Sequence, residues 1–173
     1  DATSLANMNG ASYVFGSLVT GSGAAAVANG LTINTTKDFA TKNVTFISGQ
    51  DINLAGSLTK ATGAGTATYL FQAKRNIYNS SNAGLSATTG AINLTLQSDY
   101  DANSDGAISL GGGTISTNGG NISMGGGSGA ITGVILNADG SLNTAASGYA
   151  VGNSTLTRGI QLSSVTVDAG AGN

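Results

Sequence analysis

The chain has 173 residues, enough for one domain with a core, and a net charge of −2 at pH 7. It contains 28 Gly, 8% charged residues, and no Pro, Cys, His or Trp. These counts exclude disulfides, thiol or imidazole catalysis and the usual zinc sites. The six Lys and Arg are scattered among eight Asp, and no apolar run spans a bilayer, so we predict neither nucleic-acid binding nor membrane spanning.

The Gly-, Ser- and Asn-rich composition is also typical of disordered chains. Against disorder stand 40% hydrophobic residues and the regular spacing of the β-branched ones. No segment carries the i, i+3, i+4, i+7 apolar stripe of a helix. β-branched residues between Gly and Asn turns favour strands, so the sequence predicts an all-β fold.

In chain order, residues 1–39 fit a repeating pattern loosely and are predicted to form an irregular N-terminal coil or a cap-like segment. From residue 40 onward, a short phrase recurs, apolar–polar–apolar and then Gly or Asn. Examples are Val44-Thr45-Phe46, Ile52-Asn53-Leu54, Ile92-Asn93-Leu94 and Ile122-Ser123-Met124. Each phrase is long enough for one short strand whose alternate side chains point inward, followed by a corner.

The spacing of these phrases predicts coils. Ile108, Ile115 and Ile122 lie seven residues apart. Three such strands close a triangular coil of roughly 21–25 residues. Residues 107–121 also align with residues 159–173. Together these features predict a right-handed parallel β-helix, or β-solenoid, over residues 40–173, as a segment of a longer protein.

Stacked coils place their inward side chains in three predicted columns. The first holds Val44, Tyr69, Ile92 and Ile122, the second Ile52, Ile77, Ile108 and Val134, and the third Leu58, Leu85, Ile115 and Leu142. Irregular spacing is explained by corner insertions at 61–66, 97–105, 125–130 and 143–157. The absence of Pro agrees with strands whose N–H groups bond to the coils above and below.

One insertion has the character of a calcium loop. Asp99, Asp101, Asn103 and Asp105 supply oxygen ligands at alternate positions, and Gly106 follows them. With Asp101 as the first loop position, the twelfth is Gly112, so the bidentate carboxylate of a tight site is missing. The alternative is a solvated corner rich in turn-forming residues. Calcium is the only cofactor that the sequence suggests.

Two further kinds of site were considered. Lys74 and Arg75, with Tyr69, Phe71 and Tyr78, could form a cationic-aromatic patch for a glycan or an acidic polymer. The alternative is a solvated corner with inward aromatic residues. Parallel β-helices also host polysaccharide lyases and hydrolases, which use clustered carboxylates. The Asp residues here are divided between one loop and separate corners, so we predict no enzymatic activity.

The phrases at residues 43–58, 106–127 and 158–173 resemble the β-helical repeats of filamentous-haemagglutinin-type exoproteins, the large adhesins exported by two-partner secretion. The resemblance covers residues 40–173. The export domain of that family carries an Asn-Pro-Asn motif, which a chain without Pro lacks. The resemblance implies an extracellular, rod-like segment at a bacterial cell surface, exported through an outer-membrane transporter.

The leading prediction for function is therefore a structural and adhesive shaft segment of a bacterial adhesin, acting in cell adhesion or biofilm formation. Its expected partners are glycans or proteins of host or bacterial surfaces. The alternatives are a glycan-binding face formed by the loops 61–66, 97–105 and 143–157, a polysaccharide-active β-helix, and a filament subunit that associates end to end through unpaired coil edges.

Overall fold

The computed structural model describes residues 12–17, 30–131, 137–141 and 148–173. Within these ranges the chain forms fourteen strands and no helix. The strands are β1 (Ser12–Ser17), β2 (Leu31–Ile33), β3 (Asn43–Ser48), β4 (Ile52–Leu54), β5 (Leu58–Lys60), β6 (Ala67–Ala73), β7 (Ile77–Asn79), β8 (Leu85–Ala87), β9 (Ile92–Ser98), β10 (Ile108–Gly111), β11 (Thr114–Ser116), β12 (Ile122–Gly126), β13 (Ile160–Ser163) and β14 (Thr166–Asp168).

The strands build three parallel sheets around one interior. Sheet A has the order β1-β3-β6-β9-β12, sheet B the order β2-β4-β7-β10-β13, and sheet C the order β5-β8-β11-β14. The chain passes through the sheets in turn and rises by one strand at each pass. This arrangement is a β-solenoid of about four turns, which confirms the predicted fold class.

The second and third predicted columns are confirmed over three coils. They read Ile52, Ile77 and Ile108 in sheet B, and Leu58, Leu85 and Ile115 in sheet C. The predicted fourth members, Val134 and Leu142, lie outside the described residues. Ile160 and Val167 occupy the next described positions of these two columns.

The first predicted column is wrong at one position. Tyr69 pairs with Leu94, and Ile92 pairs with Ala67. A slip of two residues keeps the same face inward because side chains alternate along a strand, so Ile92 is still fully buried. The slip arises because β6 begins two residues before Tyr69, whereas β9 begins at Ile92 itself.

The interior of sheet A is aromatic at one end of the solenoid. The rings of Phe15 and Phe46 stack with their centroids 5.3 Å apart, and Phe71 follows with its centroid 4.9 Å from that of Phe46. Phe39 is buried against this stack after β2, so residues 12–17 and 30–39 extend sheets A and B by one strand each. Burying each such side chain stabilises the fold by about 1.5–3 kcal/mol.

Two predicted insertions begin later than expected. Gln97 and Ser98 are buried residues of β9, so the loop begins at Asp99. Gly125 and Gly126 belong to β12, so the next excursion begins at Gly127. Both predictions were wrong because the later strands of sheet A extend past the short apolar phrase. The insertion at residues 61–66 is fully exposed, as a loop should be.

Candidate functional site

The outer face of sheet B carries a column of polar side chains. Its members, in order along the solenoid, are Thr32, Asn53, Tyr78, Ser109 and Gln161. Each directly follows an apolar residue that occupies the opposite face of its strand, so the alternation of side chains turns it outward. Tyr78 and Ser109 are adjacent in this column and are both partly buried.

A cavity of about 360 Å³ opens beside Tyr78 and Ser109. Its wall includes Arg75, Asn76, Tyr78, Ser109, Thr155 and Leu156. We call this cavity the sheet B groove. Its volume lies within the range of about 300–1,000 Å³ that is usual for small-molecule sites. The groove is the candidate functional site because it combines an aromatic ring, a charged group and hydroxyls in one concave surface.

A partly buried ion pair forms one wall of the groove. Arg75 donates two hydrogen bonds to Asp51, from Nε to Oδ1 at 2.8 Å and from Nη2 to Oδ2 at 2.6 Å. Asp51 is only 3% exposed and also accepts the backbone N–H of Asn76 at 2.9 Å. The hydrogen bonding that Arg75 donates to Asp51 raises the pKa of Arg75 above its usual value, against a smaller opposing effect of burial.

Asn76 ties this corner to its neighbours. Its Oδ1 accepts the backbone N–H of Ala107, one coil further on, at 3.0 Å. The same oxygen accepts Nδ2 of Asn153 at 2.8 Å, across 77 positions of sequence. Asn76 is 3% exposed, and its bond with Ala107 is buried. A single amide therefore fixes the position of the second wall of the groove.

That second wall is the turn at residues 153–156. Oδ1 of Asn153 accepts the backbone N–H groups of Thr155 and Leu156 at 3.0 and 2.8 Å. Just before the turn, Val151 forms an antiparallel bridge with Gly106. The predicted contact loop 143–157 thus borders the groove through its described part, whereas residues 143–147 lie outside the described residues.

The predicted cationic-aromatic patch is only partly assembled. Tyr69 and Phe71 are 1% and 2% exposed and belong to the core, as the alternative interpretation held. Lys74 lies 3.9 Å from Asp101 across a solvent-exposed pair, which contributes little energy. Arg75 and Tyr78 do meet at the groove. The charge of Arg75 is balanced by Asp51, so no cationic patch forms there.

The electrostatics of Tyr78 reflect its half-buried position. Burial is the main factor that raises the pKa of its phenol above the usual value. The carboxylate of Asp51 raises the pKa further, and the guanidinium of Arg75 lowers it. Tyr78 therefore stays a neutral phenol, which presents an apolar ring and a hydroxyl to the groove.

The predicted calcium ligands lie on the loop after β9. Asp99 is 3% exposed, and its Oδ1 accepts the backbone N–H of Asn103 at 2.9 Å and of Asp105 at 3.4 Å. Burial is the largest influence on the pKa of Asp99 and raises it above the usual value, against these hydrogen bonds. Asp101 and Asn103 are exposed, and Nδ2 of Asn103 lies 3.4 Å from Oδ2 of Asp101.

The side chain of Asp99 holds this loop together, because one of its carboxylate oxygens accepts two backbone N–H groups of the loop. Over the described ranges, no cluster of three Asp, Glu, His or Cys side chains is placed to hold a metal ion. The calcium site at Asp99, Asp101, Asn103 and Asp105 stays a prediction that a binding measurement must test.

Sequence reasoning missed a buried lysine in another corner. Lys60 is 0% exposed, and its Nζ donates to the carbonyl oxygens of Thr62 at 3.3 Å, Thr89 at 2.5 Å and Gly63. The signal was available in the alternation, because Lys60 has the same inward parity as Leu58 in β5. Sequence reasoning also missed that Ser109 lines the groove and that Asn153 bonds to Asn76. The alternation along β10 could have shown that Ser109 faces outward, whereas no sequence pattern indicated the role of Asn153.

None of the described ranges contains an apolar helix of the length needed to cross a membrane. No family model, curated protein or solved structure matches the chain. The resemblance to filamentous-haemagglutinin-type repeats rests on the sequence phrases quoted above.

Proposed function

We propose that this chain is an extracellular shaft segment of a bacterial surface adhesin. The observation that carries the proposal is the stacking of three parallel sheets in a continuous register around one apolar interior. Each added coil lengthens such a stack by about 4.8 Å, the spacing between hydrogen-bonded strands. Length can therefore be increased without redesigning the core.

The energetics of stacked repeats suit a shaft. Each coil contacts mainly the coils before and after it, so stability accumulates with the number of coils. The columns of Ile and Leu are uninterrupted through the middle coils, and the backbone N–H groups of each strand bond to its neighbours. A rod of this kind suits a role in which a binding surface is displayed away from a cell.

The proposal predicts where the protein is found. Immunogold electron microscopy of intact cells of the source organism, with antibodies raised against the purified chain, is the direct test. We expect label on fibres outside the outer membrane, with reduced adherence when the antibody is present. Label confined to the cell interior would contradict the shaft role.

A second candidate is a filament subunit, favoured by apolar side chains at one end of the solenoid. Ile160, Leu162 and Val167 are 41%, 47% and 41% exposed. They occupy positions whose equivalents in the preceding coil, Ile108, Leu110 and Ile115, are at most 3% exposed.

Strand edges at the same end point to a second copy as the partner. Within the described residues, β13 and β14 each pair on one edge only. At the opposite end, β1 and β2 are the outermost strands of sheets A and B among the residues that the structure describes. Stacking one end on the other keeps all strands parallel, and such a head-to-tail contact forms open filaments.

Sedimentation velocity over a range of protein concentrations tests this second function. We expect the parent chain to form larger species as the concentration rises and Leu162→Lys to remain monomeric. Leu70→Lys, an outward position in the middle of sheet A, is the matched control and should associate like the parent. A parent chain that stays monomeric throughout would rule out the filament function.

A further inference from the structure

We propose that the sheet B groove binds a sugar residue of an uncharged glycan, such as a hexose or an N-acetylhexosamine. This inference goes beyond the shaft role and does not depend on it, since a shaft requires no lateral binding site. The groove lies on the side of the solenoid, where it stays accessible when further coils stack at either end. The argument rests on its shape, its aromatic ring, its hydrogen-bonding groups and its charge balance.

The aromatic ring is the first argument. Tyr78 lies at an outward position of sheet B and lines the cavity. A pyranose ring is amphipathic, because its C–H groups form an apolar face while its hydroxyls lie around the edge. Stacking this apolar face on a Tyr ring removes both from water and leaves the phenol hydroxyl free to bond. The Tyr78 hydroxyl has no hydrogen-bond partner among the described residues.

The polar groups around the ring are the second argument. The guanidinium of Arg75 uses Nε and Nη2 on Asp51, which leaves Nη1 without a partner among the described residues. Ser109 and Thr155, which each carry a hydroxyl, line the same cavity. These groups supply a fixed donor and two groups that both donate and accept, which matches the hydroxyls of a sugar.

Preorganisation strengthens the case. Arg75 is held by two bonds to a buried carboxylate, and Ser109 lies on a strand between two neighbours in sheet B. The turn that carries Thr155 is held by Asn153, which is itself bonded to the buried Asn76. Little conformational freedom remains to be lost when a ligand binds, so a weak polar ligand can be held.

The charge balance selects the class of sugar. Asp51 neutralises Arg75 at short range, and Asp105 adds a further negative field at the guanidinium. A sialylated, sulfated or uronic-acid glycan would meet no net positive charge in the groove. A neutral sugar avoids the cost of burying an anion beside Asp51. The groove therefore favours an uncharged glycan over the acidic polymer considered from the sequence.

The test uses the full chain and a defined panel of probes. The neutral probes are the methyl glycosides of glucose, galactose and N-acetylglucosamine, and the acidic probes are sialyllactose and a heparin disaccharide. Saturation-transfer difference NMR detects binding, and titration gives the dissociation constant. For at least one neutral probe we expect saturable binding with a dissociation constant on the order of 1 mM, typical of a small ligand with few contacts.

Variants locate the site. Tyr78→Ala should weaken binding of that probe at least tenfold, the effect of losing a stacked aromatic surface. Ser109→Ala leaves the backbone bonds of β10 in place and should weaken binding roughly three- to tenfold, as one lost hydrogen bond does. Tyr100→Ala, on the loop after β9, is the control and should bind like the parent. Thermal melting of each variant shows whether it is folded.

Three outcomes would overturn the inference: no binding of any neutral probe, tighter binding of an acidic probe, or unchanged binding in both Tyr78→Ala and Ser109→Ala. If Tyr78→Ala fails to fold, Ser109→Ala decides the matter. None of these outcomes affects immunogold labelling of cells, so failure of the groove and failure of the shaft role are distinguished.

Discussion

Two corners of the solenoid bury a positive charge in different ways. In the ion-pair corner, residues 48–51 and 73–76, the guanidinium of Arg75 is bound to the carboxylate of Asp51. In the lysine corner, residues 60–66 and 88–90, the ammonium of Lys60 is surrounded by backbone carbonyls. The ion-pair corner borders the sheet B groove, whereas the ammonium in the lysine corner is fully buried.

The difference shows what each solution leaves available. Arg75 retains a side-chain exposure of 22% and an unused nitrogen, so the ion-pair corner can still contact a ligand. Lys60 is fully buried, and it joins the loop at 61–66 to the next coil through Thr89. Gly90, at φ +65°, packs so closely that an added Cβ would lie 2.7 Å from Nζ of Lys60. Lys60 therefore links the loop at 61–66 to the next coil, and its ammonium is not exposed to solvent.

Two other buried polar groups extend the comparison. Asp99 is satisfied by backbone N–H groups, which makes it the negative counterpart of Lys60. Tyr69 is 1% exposed, and its hydroxyl has no hydrogen-bond partner among the described residues. Arg75 is thus paired with an opposite charge, Lys60 and Asp99 are bonded to backbone groups, and the Tyr69 hydroxyl has no described partner. Substitutions at these positions can rank the effects of these arrangements on the free energy of unfolding.

The largest effect is expected at the ion-pair corner. Arg75→Met should lower the free energy of unfolding by about 3 kcal/mol, because it leaves the buried Asp51 without its counter-charge. Urea denaturation measures the change. Arg158→Met, at an exposed arginine, is the control and should have little effect.

The double variant Asp51→Asn with Arg75→Met separates loss of the pair from exposure of one charge. It should recover much of the stability lost in Arg75→Met, since no uncompensated charge remains. If the single variant unfolds like the parent, the ion pair contributes nothing and the contrast between the two corners disappears.

A smaller loss is expected at the lysine corner. Lys60→Met should lower the free energy of unfolding by about 2 kcal/mol, because three carbonyls lose a charged donor while the cost of burying the charge is also removed. Lys74→Met, at a side chain that is 43% exposed, should change it by less than about 0.5 kcal/mol. A Lys60→Met chain more stable than the parent would show that the carbonyls do not offset the burial of the ammonium.

The opposite sign is expected at Tyr69. Tyr69→Phe should raise the free energy of unfolding by about 1 kcal/mol, because it removes a buried hydroxyl that lacks a partner. Burial, with a contribution from Asp38, raises the pKa of Tyr69, so the parent should lose stability as the pH rises above about 10, the usual value for Tyr. The variant should lose less stability over the same pH range, and the remaining loss is expected from Tyr78, whose pKa is also raised. Tyr100→Phe is the control, and a destabilised Tyr69→Phe chain would reveal a partner for the hydroxyl.

The smallest expected effect is the contribution of Asp99 to the pH dependence of stability. Burial raises its pKa above the usual value of 3.8, so the folded state holds this proton more tightly than the unfolded state does. The contribution of Asp99 to stability is therefore present at low pH and is lost as the pH rises through the window above 3.8.

Asp99→Asn should flatten this part of the pH profile. Asn still accepts the two backbone N–H groups and tolerates the φ of +49° at this position. Denaturation midpoints measured between about pH 4 and 7 give the comparison, with Asp168→Asn, at the exposed end of β14, as control. An unchanged profile would indicate that Asp99 is not desolvated. Loss of a calcium-dependent stabilisation in this variant would support the predicted calcium site.

Much of the fold was predictable because its information is local. Alternation within phrases such as Ile52-Asn53-Leu54 identifies the inward face, and Gly or Asn identifies the corner that follows. The recurrence of these phrases at intervals of roughly one coil then predicts stacked coils. The slip at Ile92 shows the limit of this reasoning, because a shift of two residues leaves the same face inward. Hydrogen bonds between coils decide between such registers, and they join residues about 25 positions apart.

The sequence by itself determined the strands, their inward faces and the absence of thiol and imidazole chemistry. It also placed Arg75 near Tyr78, because the two residues are close along the chain. Only the tertiary structure decided that Asp51 cancels the charge of Arg75, that Ser109 lies beside Tyr78, and that the turn carrying Thr155 closes the groove. The physical reason is that coil stacking and the Asn76–Asn153 bond set these distances, and neither leaves a local pattern in the sequence.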